Sequence, residues 1–99
     1  MTVIAEVTTY PIGKGISLSP YVKMAIRVLD ESGLSYKIGP MSTTIEAETV
    51  VELLNIIGKM HNAIGMEGCE RISTAIRIDD RRDKKRTMMD KVDAVRPSD

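Results

Sequence analysis

Residues 34–46 read LSYKIGPMSTTIE. Leu34, Tyr36 and Ile38 alternate with Ser35 and Lys37, Gly39-Pro40 interrupts the run, and Thr43-Thr44-Ile45-Glu46 resumes an extended pattern. That spacing predicts two strands joined as a hairpin. Upstream, Ser19-Pro20 reads as an N-cap followed by proline at the first helical position; Val22, Ala25, Ile26 and Leu29 recur at helical spacing, and Gly33 suits the stop. Downstream, Thr49 and Glu52 have the spacing of a capping box. Val50, Leu53, Leu54, Ile57, His61 and Ile64 then mark the inner face of a second helix, ending at Gly65 or Gly68.

The outer flanks alternate. Val3, Ala5, Val7 and Thr9 oppose Ile4, Glu6 and Thr8, predicting a first strand over Val3–Thr9 before Pro11, Gly13 and Gly15 break it. Ile72, Thr74, Ile76 and Ile78 oppose Ser73, Ala75 and Arg77 in a last strand, after which the charged run Asp79–Arg86 is expected to leave the sheet for solvent. Thr87 and Asp90 offer a cap-and-acid start for a short C-terminal helix through Val92 and Val95, before Pro97.

The resulting order, βαββαβ, predicts an α+β chain of ferredoxin-like, split βαβ topology, with residues 1–99 as a single domain. Both helices are expected on one side of a four-stranded antiparallel sheet. The other face is expected to be uncovered, with Ile4, Glu6, Thr8, Ser73, Ala75 and Arg77 on it. Such a mixed surface packs economically against another subunit, leaving polar-lined pockets.

Composition narrows the function classes. Among 99 residues, 14 Lys and Arg are matched by 14 Asp and Glu, so no overall positive field draws in a nucleic-acid backbone or an anionic membrane. Cys69 is the single cysteine, which excludes an intramolecular disulfide and fits a reducing compartment. No run approaches the roughly 20 apolar residues that span a bilayer, and the N-terminus lacks a signal-peptide pattern; the expected location is cytoplasmic. Phe and Trp are absent and Tyr10, Tyr21 and Tyr36 are the only aromatics, so methionine and aliphatic side chains must fill the core.

Most motifs read as structure. The Pro11–Gly15 stretch lacks the spacing and terminal Lys-Ser/Thr of a phosphate loop, and an ordinary turn is the better reading. Asp79-Asp80 is followed closely by basic residues and reads as a solvated salt-bridge run rather than a metal site. His61, on the apolar stripe of the second helix with no second histidine in the chain, reads as a core or interface residue. No nucleophile–base–acid arrangement and no paired carboxylates stand out, so no catalytic residue, metal or cofactor is expected.

Taken in order, Glu6 through Pro11-Ile12-Gly13, Ser19 with Tyr21-Val22, Pro40-Met41-x-Thr43-x-Ile45-Glu46, Ile78 to Asp83, and Thr87-Met88 leading to Lys91-Val92 resemble the thiamine-binding (UPF0045) family of small ferredoxin-like proteins. The resemblance runs over nearly the whole chain; Ala47 departs from it, since the family more often has glycine there. It implies a homotetramer of sheet-paired dimers that binds thiamine, or its hydroxymethylpyrimidine half, without turnover.

The residues themselves supply suitable chemistry. An aminopyrimidine presents ring-nitrogen acceptors beside an amino donor, and needs a carboxylate or carbonyl next to a hydroxyl or N–H. Thr43, Thr44 and Glu46 offer that set, although alternation sends Thr44 and Glu46 to one face and Thr43 to the other. Glu6 and Thr8 repeat the pairing, and a cationic thiazolium would favour a carboxylate or the ring of Tyr21 or Tyr10. The expected ligand residues are therefore Glu6, Thr8, Ser17, Tyr21, Thr43, Thr44 and Glu46. The alternative is an RNA-binding or protein-interaction module on the same topology. Against RNA, the open face lacks the stacking aromatics of an RRM and the net charge is zero.

Overall fold

The computed structural model describes residues 2–97. The chain runs β1 (Val3–Pro11), α1 (Ser19–Ser32), β2 (Ser35–Ile38), β3 (Thr43–Ala47), α2 (Val50–Gly65), β4 (Ile72–Asp80) and α3 (Met88–Val95). The strands form a four-stranded antiparallel sheet in the order β2-β3-β1-β4, the split βαβ arrangement expected from the alternation of elements.

Odd-numbered residues of β1 carry the core. Val3, Ala5 and Val7, with Ile45 and Ala47 of β3, meet Ala25 and Leu29 of α1 and Leu53, Ile57, Met60 and Ile64 of α2. Each large aliphatic side chain buried there contributes about 1.5–3 kcal/mol relative to exposure. The inward stripe of α2 is narrower than the sequence implies: Met60 is buried, whereas Leu54, expected inside, is exposed. Steps of four, three and four residues from Leu53 keep one line on the sheet, and Leu54 falls to its side.

The caps differ in detail from expectation. Ser19 is the first helical residue rather than the cap; Leu18 holds that position without a side-chain cap bond. Thr49 does cap α2, accepting from the Glu52 N–H at 3.1 Å, but the Glu52 carboxylate accepts from the N–H of Glu48 at 3.4 Å, one residue earlier than a reciprocal box requires. The complete box is at α3, where Thr87 Oγ1 accepts from the Asp90 N–H at 3.1 Å and the Asp90 carboxylate accepts from the Thr87 N–H at 2.9 Å.

Two strands run longer than the sequence reading has them. β1 continues through Tyr10 to Pro11, and β4 includes Asp79 and Asp80, which pair with Ile4 and Val3 instead of departing for solvent. The second sheet face is also not bare. Asp79 on that face is ion-paired with Lys91 of α3, and Ile4 and Met88 are buried, so the C-terminal helix folds back over one end of the sheet. Glu6, Ala75 and Arg77 remain exposed beyond it.

Candidate functional site

The hairpin between β2 and β3 is tight. The Gly39 N–H donates to the Ser42 carbonyl at 2.9 Å, with Pro40 and Met41 as the loop. A Cβ on residue 39 would stand 2.9 Å from that carbonyl oxygen, so only glycine fits without distortion. Because the turn is short, β3 begins at Thr43, opposite Val7, and pairs with β1 only over Val3–Val7.

On its other side β1 is paired with β4 along its whole length, Val3 to Pro11. The ladder continues with the Ile12 N–H donating to the Arg71 carbonyl at 2.8 Å. In an antiparallel ladder hydrogen-bonded and non-bonded pairs alternate, so the even-numbered residues of β1 turn their backbone groups to β4 and the odd-numbered ones turn theirs to β3. Thr9 is odd, and no residue of β3 lies opposite it. Its N–H and C=O therefore face a gap in the sheet. Pro11 is odd as well, and its lack of an N–H costs nothing on a side that has no partner strand.

A recess of about 240 Å³ occupies that gap, lined by Thr8, Thr9 and Tyr10, by the hairpin from Ile38 to Thr43, and by Leu18, Val22 and Ala25 at the start of α1. Thr43 is buried and makes no side-chain hydrogen bond among the described residues, so its hydroxyl is available to a guest. A second crevice, of about 310 Å³ on the opposite sheet face, holds Glu6, Thr8, Ser42 and Arg77; Thr8, Met41 and Ser42 line both. The Ser42 hydroxyl donates to the Glu6 carboxylate at 3.3 Å, tying the hairpin tip to β1 where the two openings adjoin.

The expected ligand residues divide. Thr8 and Thr43 line the recess, and Glu6 stands at the adjoining opening. Thr44 is on the far face beside Glu6 and Lys91, under α3 rather than in the recess. Glu46 pairs with Ile4 and Ser35 and lines neither opening. Ser17 is exposed in the loop before α1; its neighbour Leu18 reaches the recess instead. Tyr21 packs against the core, whereas Tyr10 is at the recess.

Sequence reasoning missed Thr9. The signal was present, since its parity places a hydroxyl on the buried side of β1. That hydroxyl is 2.7 Å from the Thr74 hydroxyl, which is 2.6 Å from His61 Nδ1. Away from the recess the charged C-terminal run pairs internally, Arg81 with Asp83 and Arg82 with Asp80. The Arg81 guanidinium holds the Asp83 carboxyl below its ordinary range.

A family model described as thiamine-binding protein matches residues 5–96. The chain belongs to the thiamine-binding protein family. Members similar to it include a UPF0045 protein of Methanothermobacter thermautotrophicus, 39% identical over 95% of this chain and 96% of that protein. UPF0045 protein YqgV of Bacillus subtilis is 41% identical over 93% of this chain and 92% of its own. Among solved structures, the hypothetical protein MJ1052 of Methanocaldococcus jannaschii superposes with a TM-score of 0.87 at 34% identity, covering 95% of both chains. A Thermotoga maritima protein, proposed to act in thiamine biosynthesis or salvage, shares the family fold at a TM-score of 0.81 and 22% identity, over 97% of this chain and 100% of that one. No helix among the described residues of this family member is long and apolar enough to cross a membrane.

Proposed function

We propose that this chain is a non-enzymatic thiamine carrier or sensor of the cytoplasm, holding the hydroxymethylpyrimidine half of the ligand in the recess beside Thr9. The observation that carries this reading is the unpaired backbone edge. Thr9 points an N–H donor and a C=O acceptor the same way, and an aminopyrimidine presents a ring-nitrogen acceptor next to an amino donor, so the two edges complement each other. The Thr43 hydroxyl adds a further polar contact on the helix side of the ring. Drug-sized ligands occupy pockets of about 300–1,000 Å³; the smaller volume here favours one ring inside and one outside.

The outer ring would be the cationic thiazolium, where the recess lined by Tyr10 adjoins the crevice lined by Glu6. A carboxylate and an aromatic face both attract such a cation. The family match and the Thermotoga maritima relative support thiamine as the source of these rings. The RNA-binding alternative is weakened by α3, which lies over part of the sheet face that such modules leave open.

The assembly belongs to the same proposal. β4 is an edge strand of nine residues without proline, and Ile76 and Ile78 are 41% and 39% exposed on its helix side. Long unpaired edges with apolar side chains invite pairing with another chain, which supports a homotetramer built from sheet-paired dimers. Isothermal titration with thiamine and with hydroxymethylpyrimidine tests the binding. Both are expected to bind with similar heats of pyrimidine origin; no heat from either at millimolar concentration overturns the reading.

A further inference from the structure

His61, Thr74 and Thr9 form an unbroken polar chain from α2, through β4, to β1. Thr9 and Thr74 are cross-strand partners in a non-hydrogen-bonded pair, the kind in which side chains approach most closely. Their hydroxyl oxygens are 2.7 Å apart, and Thr74 Oγ1 is 2.6 Å from His61 Nδ1. Thr9 is buried and lines the recess, while His61 is half-buried and its Nε2 has no partner among the described residues.

A hydroxyl has one proton to donate, so the direction of each bond in such a chain dictates the next. In neutral His61 with its proton on Nε2, Nδ1 accepts from the Thr74 hydroxyl and Thr74 accepts from Thr9. Thr9 then offers the recess only lone pairs. With a proton on Nδ1, His61 donates to Thr74, Thr74 donates to Thr9, and the Thr9 hydroxyl proton is released toward the recess. The change needs one proton from water on the imidazole and two hydroxyl rotations.

We propose that the His61–Thr74–Thr9 chain sets the hydrogen-bonding sense that Thr9 shows to a bound ring, making His61 a positioning residue that couples ligand binding to its own protonation. The proposal deepens the reading of the recess as the ligand site and rests on it. The groups facing His61 from the sheet are uncharged: Thr9 and Pro11 of β1, and Ile72, Thr74 and Ile76 of β4. On α2 the nearest charge is the exposed Lys59, and the connection to β4 holds Glu67, Cys69, Glu70 and Arg71; the charged residues of α1, Lys23, Arg27, Asp30 and Glu31, all face solvent. None of these charged or titratable groups is hydrogen-bonded to the imidazole, whose one partner among the described residues is Thr74.

His61 is the only histidine, so its imidazole NMR signals are unambiguous. The test follows those signals from about pH 5 to 8, where imidazoles change charge, with and without saturating hydroxymethylpyrimidine, while calorimetry reports binding separately. By linkage, a twofold difference in affinity between the two protonation states moves the midpoint by about 0.3 pH unit. A shift of at least that size is expected in the wild type and in Thr74→Ser, which keeps the hydroxyl, and is expected to vanish in Thr74→Val. Comparing variants cancels any titration of the ligand itself. Calorimetric saturation with an unmoved midpoint, or an equal shift in Thr74→Val, overturns the coupling; absence of any binding heat overturns the ligand site on which it rests.

Discussion

Lys91 of α3 is ion-paired with Asp79 of β4, which fastens the C-terminal helix to the sheet face opposite α1 and α2. The Lys91 bond holds the Asp79 carboxyl below its ordinary range, and the Thr87 backbone N–H does the same for Asp90. A carboxyl with a lowered folded pKa contributes stability that is fully present above its unfolded value, about 3.9, and is lost as pH falls through the folded value. Backbone NMR shifts of Met88–Val95 are therefore expected to lose helical character below about pH 4, ahead of the core. Lys91→Met is expected to loosen the same residues at neutral pH while changing overall stability little, since exposed ion pairs are weak.

Thr43→Val exchanges a hydroxyl for a methyl of similar shape in a strand, where a β-branched residue remains suitable. The thermal midpoint is expected to stay within a few degrees or rise. Affinity for hydroxymethylpyrimidine is expected to fall about tenfold, the equivalent of one hydrogen bond of roughly 1.4 kcal/mol. Calorimetry on the folded variant checks both.

Gly39→Ala pushes a methyl group against the Ser42 carbonyl oxygen. The hairpin must open or shift, at a cost of about 1–3 kcal/mol. Because the same turn forms the wall of the recess, chemical denaturation and ligand titration are expected to report loss together. A variant that keeps full stability and full affinity would show that the loop yields freely.

Ile76→Lys combined with Ile78→Lys places two charges on the edge strand without touching the core or the recess. Charged edges resist pairing with another chain. Sedimentation is expected to show smaller species than the wild type at equal concentration. An unchanged assembly would mean that copies meet elsewhere, for example across the exposed Glu6, Ala75 and Arg77 surface.

The fold was legible because its periodicities are clean: Val3, Ala5 and Val7 against Ile4 and Glu6, Leu53, Ile57 and Ile64 along α2, and glycine at the turns. The ends of β1 and β4 were less so. Pro11 and Asp79 carry local signals to stop, and only the cross-strand register with Ile72 and Ile4 keeps them in the sheet. The cover given by α3 was also hidden, because the Lys91–Asp79 pair joins residues whose partnership depends on how the chain turns after β4. At the candidate site, residue types pointed to Glu6, Thr8 and Thr43, which line the recess or the crevice beside it. Backbone groups have no sequence signature, so the unpaired edge at Thr9 could be found only from the register of β3.

β1 has nine residues and β3 five. A guest in the recess would stand in for a missing stretch of strand, and the length of the hairpin sets the room left for it. Lengthening the hairpin by one pair of residues would keep Thr43–Ala47 in register with β1 and let β3 reach Thr9, sealing the entrance while leaving Thr8 and Thr43 in place.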